Sequence, residues 1–330
     1  MRAVWWTKVG PPEVLVPGEA PDPEPGTGQV LVGVAFAGIT FIETQMRAGR
    51  SPKPGLKPPA ILGNAVGGTV LAVGPDTDVG LVGQQVVTST GGSGGYAELA
   101  VASAADVLPV PDGVSLADAT ALLADGRTAL GLHRHVAPRA GQTVLVEAAG
   151  GGVGSLLVQL AVAAGARVIA AASGPRWPTH DPAAPAKLEL ARGLGASATI
   201  DYRAPDWGDE LAKLAPDGLD IAYDGVGGAI GGTVFAAMAP GGRFVVHGVA
   251  SGAMTDTSAA AERGLTVIGF QQLMVIAQQA RELSGAALAQ AAAGTLRPVV
   301  GQTFPLVRAA DAHATIEARQ ALGKTLLVVG

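Results

Sequence analysis

The chain has 330 residues, 48% hydrophobic and 15% charged, which is enough apolar material for two buried cores and too little charge for a disordered tail. A formal net charge of −5 gives no footing for nucleic acid or an anionic membrane surface as partner. With no cysteine, disulfides, iron–sulfur clusters and thiolate zinc sites are excluded.

The N-terminus has no long apolar stretch with a cleavage site. The longest apolar region, Leu156 to Ala172, is interrupted by Gln159, Gly165 and Arg167, so the expectation is a cytoplasmic protein without a membrane span. The first third reads as a mostly β domain with few helical signals, with strands at Arg2–Trp6, Val30–Ala37, Gly68–Val73, Gln85–Thr88 and Tyr96–Val101. Near residue 117 the pattern changes. Strands at Thr143–Val146, Arg167–Ala171, Ala198–Asp201, Leu219–Tyr223, Arg243–His247 and Thr266–Ile268 alternate with segments long enough for crossover helices, which predicts a doubly wound parallel sheet of the α/β class. The tail predicts a helix over Val275–Ala293, a strand over Val299–Phe304, a helix over Ala309–Leu322 and a last strand over Thr325–Val329. The proline-rich stretch from Gly174 to Ala186 is too long for an ordinary connection and reads as a loop insertion, either a tolerated surface loop or a lid.

One unit carries chemistry. The apolar strand Thr143–Val146 enters the turn Ala148-Ala149-Gly150-Gly151-Gly152-Val153-Gly154. On the following helix Val153, Leu156, Leu157, Leu160, Ala161 and Ala164 share one face. Glycines in such a strand–turn–helix context allow a tight turn, close approach of a pyrophosphate and close helix–strand packing, while the helix N-terminus presents free N–H groups to the phosphates. An acid about 20 residues further on would hold the 2′-hydroxyl of NAD. Here the segment reads Ile169-Ala170-Ala171-Ala172-Ser173-Gly174, without an acid and with Ser173, Arg176 and Lys187 as donors, which favours NADPH.

In this setting Gly38-Ile39-Thr40-Phe41-Ile42-Glu43 with Arg47 and Gly49, Leu62-Gly63 with Gly67, Gly94-Gly95-Tyr96-Ala97-Glu98, Gly126 with Thr128-Ala129, the glycine turn, Lys187 with Leu194-Gly195-Ala196, Asp224 with Val226-Gly227-Gly228, Gly241-Gly242-Arg243-Phe244 and Gly323-Lys324 stand in order. Together they resemble the zinc-independent quinone oxidoreductases of the medium-chain dehydrogenase/reductase superfamily. The resemblance implies a GroES-like β domain over 1–118, a Rossmann NADPH-binding domain over 119–271 and a C-terminal segment, 272–330, that completes the first domain, with the active site in the cleft between domains. It implies hydride transfer from NADPH to a quinone or another α,β-unsaturated carbonyl compound, and a homodimer pairing through Leu265–Phe270. Carried over by position, Lys187, Tyr202 and Ser173 would meet the 2′-phosphate, with Arg176 as a further donor. Thr128 and Gly151 to Val153 would lie along the cofactor, with Gly248 and Ser251 toward its nicotinamide end. Ala149, Gly150, Gly154, Val226 and Gly227 are further cofactor-binding candidates, as is His247, which ends a strand at the carboxyl edge of the sheet.

The sequence departs from the family at Thr40, where Asn is usual, and at Glu43, where Asp is usual. In the zinc-bearing relatives a Gly-His-Glu stretch stands where this chain has Leu62-Gly63-Asn64-Ala65, so no metal is expected. Thr40 and Asn64 are candidate hydrogen-bond donors to the acceptor carbonyl, and Glu43 either orients Thr40 or forms a salt bridge. Asp125 reads as a helix cap in preference to a side chain facing the cleft. His133 and His135, two apart on a helix, make a poor metal pair. A pathway-specific enoyl or ketone reductase and a non-catalytic NADPH-binding regulatory protein remain the alternatives.

Overall fold

The computed structural model describes residues 1–50, 55–173 and 184–330, with the side chains of 184 and 185 excluded. The chain opens with strands β1 (Arg2–Trp6), β2 (Leu15–Glu19) and β3 (Gln29–Ile39), helix α1 (Phe41–Arg47), and strands β4 (Ala60–Ile61), β5 (Ala65–Val73), β6 (Gln85–Ser89), β7 (Leu99–Ser103) and β8 (Leu108–Pro109). Helix α2 (Leu116–Val136) leads into β9 (Thr143–Val146), α3 (Gly152–Ala163), β10 (Arg167–Ala172), α4 (Ala184–Gly193), β11 (Ala198–Asp201), α5 (Trp207–Leu214), β12 (Leu219–Asp224), α6 (Gly228–Ala236), β13 (Met238–Val246) and β14 (Thr266–Ile268). The chain ends with α7 (Phe270–Gln278), α8 (Ala280–Ala292), β15 (Val300–Pro305), α9 (Ala309–Glu317) and β16 (Lys324–Val328).

Two compact units result, Met1–Ala124 with Ser284–Gly330, and Asp125–Leu283. In the first, one sheet runs β15-β16-β3-β5-β6-β8 with β7 also on β3, and a smaller sheet runs β2-β1-β4. The long strand β3 serves different neighbours at its two ends: Gln29 to Gly33 pair with β7, and Phe36 to Ile39 pair with β16. Across from it, Gly68 of β5 lies so close that a β-carbon there would stand 2.0 Å from the Gly33 carbonyl, so only glycine fits this crossing. Val4, Trp6, Val34, Leu62, Tyr96, Leu306 and Leu327 fill the core beneath, each removing apolar surface from water worth roughly 1.5–3 kcal/mol per large side chain.

The second unit is a six-stranded parallel sheet in the order β11-β10-β9-β12-β13-β14. This is the doubly wound α/β arrangement, in which order reverses at β9 and loops at the carboxyl ends of the strands carry ligand groups. Val144, Leu145, Val146, Ile169, Ile221 and Phe244 are buried, as expected for strands covered on both faces. Helix α3 packs inward through Leu156, Leu157, Leu160 and Ala161.

Several sequence expectations need correction. The first third does contain a helix, α1, whose first turn follows Thr40. The strand expected over Tyr96–Val101 begins only at Leu99, because Tyr96 is drawn inward and bonds Leu62 through its backbone. The single tail helix is two, α7 and α8, broken at Gln279. Helix α9 stops at Glu317, since Arg319 adopts a left-handed conformation with φ of 62°. Asp125 caps no helix of its own, for it lies inside α2. The stretch expected as an insertion up to Ala186 already enters α4 at Ala184, and residues 174–183, with Arg176, lie outside the described residues. Among the described residues, no helix is long and apolar enough to cross a membrane.

Candidate active site

In the second unit the glycine turn is built tightly. Ala148 takes a positive φ of 49°, the Gly151 N–H donates to the Ala148 carbonyl at 2.8 Å, and the Ala149 N–H donates to Ala171 at 3.1 Å, pinning the turn to the end of β10. A β-carbon at Gly154 would lie 2.3 Å from the Ala148 carbonyl, so the turn closes only over glycine. Gly151 is the N-cap of α3 and no side chain caps it, which leaves the first-turn N–H groups of Gly152 and Val153 for an anion. The Asp125 carboxylate borders this turn: a β-carbon at Gly152 would stand 2.0 Å from its Oδ2. Thr128, three residues further on α2, shares that helical side.

Lys187 comes from α4 and is only 6% exposed. Its stem covers Gly150, where a β-carbon would meet Lys187 Cγ at 2.5 Å, and its Nζ donates to Ser173 Oγ at 3.4 Å. The Tyr202 N–H donates to the Ala172 carbonyl at 3.3 Å, so Tyr202, Ser173 and Lys187 gather at one end of β10. The group brings together an enclosed ammonium, a hydroxyl and a bare glycine turn; β10 itself ends without an acid, and Asp201 of β11 lies in register with Ala172.

The loops after β12 and β13 interlock. Ser251 N–H donates to the Val226 carbonyl at 2.8 Å, and a β-carbon at Gly227 would meet the Ala253 carbonyl at 2.2 Å. Gly248 packs on Gly225, a β-carbon there falling 2.5 Å from the Gly225 carbonyl, while the His247 ring lies against the Gly225 α-carbon with an enclosed, unpartnered Nε2. Burial pushes His247 down to about 4, partly opposed by Asp224, so the ring is neutral at neutral pH.

Beneath these loops sits a carboxyl pair that the sequence reading passed over. Asp224 Oδ1 accepts from the N–H groups of Gly227 at 2.7 Å and Val226 at 3.1 Å, and its Oδ2 accepts from Thr255 Oγ1 at 2.5 Å. Glu147 is fully buried, shares the Val226 N–H at 3.0 Å, and has no partner for Oε1. The Glu147 carboxyl is the less satisfied of the two, and its pKa is raised well above the carboxylate range by burial and then by Asp224, so it holds a proton at neutral pH. An acid with a folded pKa above its unfolded one contributes stability that is full below the unfolded value and is lost as pH rises through the folded one. Glu147→Gln is therefore expected to raise the thermal midpoint at pH 8, the gain shrinking toward pH 5. Melting curves across that range check this, and a gain independent of pH would assign it to packing instead.

In the first unit Thr40, Glu43 and Asn64 come together around one buried carboxylate. Thr40 N–H donates to Glu43 Oε2 at 2.6 Å, the reciprocal half of a capping box at the start of α1. Thr40 Oγ1 lies 2.9 Å from the same oxygen, and the Asn64 N–H donates to Oε1 at 3.0 Å. The Asn64 side chain turns to Ser89, whose hydroxyl donates to its Oδ1 at 2.7 Å. Glu43 is 3% exposed and makes no ion pair at contact distance among the described residues, so the expected salt bridge gives way to hydrogen bonds. Burial raises its pKa, while the Thr40 and Asn64 N–H groups and the charge of Lys324 oppose the rise. The Tyr96 hydroxyl, 3.4 Å from Oε2, and His313, whose Nε2 is 3.0 Å from that hydroxyl, extend the network. The order Gly94-Gly95-Tyr96 marked this tyrosine only as part of a pattern, and no sequence signal marked His313.

A profile described as alcohol dehydrogenase GroES-like domain matches residues 26–112, and one described as zinc-binding dehydrogenase matches residues 194–327. A quinone oxidoreductase of Pseudomonas aeruginosa is 33% identical over 335 residues, covering 99% of either chain. The chain belongs to the quinone oxidoreductase family of the medium-chain dehydrogenase/reductase superfamily. Its fold is the family's: a Rossmann-type parallel sheet joined to a GroES-like β unit. Family members are oxidoreductases. A mycobacterial protein solved in complex with NADPH superposes with a TM-score of 0.88 at 31% identity, over all of both chains. A structure titled NAD-dependent alcohol dehydrogenase superposes at 0.84, also at 31% identity and over all of both chains. Among the described residues no three His, Cys, Asp or Glu side chains gather as for a metal ion.

Proposed function

We propose that this family member is an NADPH-dependent reductase of quinones or other α,β-unsaturated carbonyl compounds. The observation that carries the cofactor choice is Lys187, enclosed over Gly150 and beside Ser173 at an acid-free strand end. An ammonium held there can meet a 2′-phosphate with a charge-assisted hydrogen bond that a 2′-hydroxyl does not match. The solved relatives at equal identity carry both cofactor types in their titles, so this local chemistry decides between them.

Lys187, Ser173 and Tyr202 hold the 2′-phosphate in this reading. The N–H groups of Gly152 and Val153 receive the pyrophosphate, with Gly150, Gly151 and Gly154 keeping the approach clear and Thr128 and Ala149 alongside. Val226, Gly227, His247, Gly248 and Ser251 shape the loops for the nicotinamide end. Bound NADPH supplies a hydride. Thr40 polarises the acceptor carbonyl, and Asn64 helps fix Glu43 through its backbone. Arg176 is a further phosphate donor in this proposal.

Following loss of nicotinamide absorbance with a panel of quinones and enones tests the reading. Turnover is expected with at least one acceptor and faster with NADPH than with NADH. Tight NADPH binding without turnover of any acceptor would replace it with a nucleotide-binding regulator.

A further inference from the structure

Thr40, the Glu43 carboxyl, Tyr96 and His313 form a continuous polar chain inside the first unit. Thr40 Oγ1 is 2.9 Å from Glu43 Oε2, that oxygen is 3.4 Å from the Tyr96 hydroxyl, and the hydroxyl is 3.0 Å from His313 Nε2. Glu43, Tyr96 and His313 are each at most 3% exposed. His313 arrives from α9, 217 residues away from Tyr96 in sequence, so the chain is a product of the fold and not of one motif.

Its direction follows from one enclosed atom. His313 Nδ1 is buried and has no partner. A bare acceptor nitrogen is the more tolerable orphan, since buried N–H groups without partners are rarer than under-satisfied acceptors. The proton therefore sits on Nε2 and is donated to the Tyr96 oxygen, which leaves the Tyr96 hydroxyl proton for Glu43 Oε2. Burial favours the neutral ring, and Arg47 nearby adds to that. At the other end the Thr40–Glu43 contact can hold a proton either way. With Glu43 ionised, Thr40 donates inward and offers an acceptor only a lone pair. With Glu43 protonated, the carboxyl donates to Oγ1 and the Thr40 proton points outward.

We propose that Glu43 is the proton reservoir of the reaction, that Thr40 is the residue delivering the proton, and that Tyr96 and His313 are positioning residues holding Glu43 by a chain directed at Oε2. This rests on the reductase reading above. Hydride addition to the acceptor carbon leaves the electron pair on its oxygen. The Thr40 O–H bond breaks and an O–H bond forms on that oxygen, while Thr40 Oγ1 takes the proton from Glu43 Oε2. Glu43 is left as a carboxylate, stabilised by the Tyr96 hydroxyl and the Thr40 and Asn64 N–H groups. After product leaves it is reprotonated from water through the Thr40 hydroxyl, which passes its proton to Oε2 and takes one from water. The charged and titratable groups around it are Lys324 from β16, Tyr96, and, beyond Tyr96, His313 from α9 and Arg47 from α1.

The test compares Thr40→Val with Thr40→Ser, and Glu43→Gln with Tyr96→Phe. Removing the hydroxyl or the acid is expected to lower kcat by about 100-fold with little change in KM for NADPH, while Thr40→Ser restores most of it. Tyr96→Phe removes a donor to the carboxylate, so the alkaline limb of the kcat profile moves to higher pH. Independently of turnover, the infrared carboxyl band of the free protein should lose a protonated component in Glu43→Gln, and in Tyr96→Phe that component should persist to higher pH. Wild-type kcat in Thr40→Val, or an unchanged carboxyl band in Glu43→Gln, overturns the proposal. A wild type that reduces no quinone or enone defeats the reductase reading alone, because the infrared titration still decides whether Glu43 stores a proton.

Discussion

Arg47→Met is expected to lower the thermal midpoint by about 6–12 °C, from roughly 3 kcal/mol lost at about 2–4 °C per kcal/mol for a unit of this size. The guanidinium is 1% exposed, pairs with Glu317 Oε1 at 2.6 Å through Nη2, and donates to the Gly10 carbonyl through Nη1. It thus ties α1 both to the end of α9 and to the loop after β1. Removing one partner of an enclosed pair leaves the other charge poorly solvated, which costs more than the pair itself contributes. Glu317 is 23% exposed and keeps Arg50 at 3.0 Å, which softens the loss. Adding Glu317→Gln to Arg47→Met is expected to recover part of the midpoint. Differential scanning calorimetry of the two variants decides, and a double variant that melts lower than the single would mean that the Gly10 tether, and not the stranded carboxylate, sets the cost.

Removing the charge of Lys187 is expected to raise KM for NADPH about 10- to 150-fold while changing that for NADH little, since a hydrogen bond to a charged group is worth about 1.5–3 kcal/mol. The side chain does two jobs that a single substitution would confuse. Its ammonium faces Ser173, and its stem fills the space over Gly150. Lys187→Met keeps the stem and removes the charge, whereas Lys187→Ala removes both. Both should lose NADPH preference, and the alanine variant should also melt lower. Equal effects of Lys187→Met on the two cofactors would move phosphate recognition to another residue, Arg176 being next in line.

The parallel sheet was readable because its inner strands, such as Val144–Val146 and Val168–Ala172, are buried and appear as apolar runs, and because helical segments alternate with the strands. Thr143–Val146, Ala198–Asp201 and Thr266–Ile268 match the observed strands residue for residue. β2 was not readable, since Val16, Pro17, Gly18 and Glu19 are exposed and include both residues that weaken a strand pattern. Helix α1 does carry a signature, Thr40 with Glu43 three residues on, but seven residues among β runs give too little periodicity to outweigh its surroundings. The glycine turn and the Lys187–Ser173–Tyr202 grouping could be anticipated from order along the chain. His313 could not be, because only tertiary packing brings α9 under Tyr96. Glu147 follows directly on a buried strand and was hidden as the end of an apolar run; what singles it out is the neighbouring Asp224, contributed by a strand far along the sequence.

The Gly150–Lys187 packing leaves position 187 free to vary but holds position 150 to glycine. An alanine at 150 collides with the stem of Lys187, so drift at the turn is blocked while that lysine remains. Loss of the lysine stem relieves only part of this, because the β-carbon at 187 would still lie 2.6 Å from one at 150. A route from NADPH to NADH use therefore passes through position 187 while position 150 stays glycine. Gly150→Ala should destabilise the parent chain and the Lys187→Ala chain alike, so a double-mutant cycle on stability should show no change of sign.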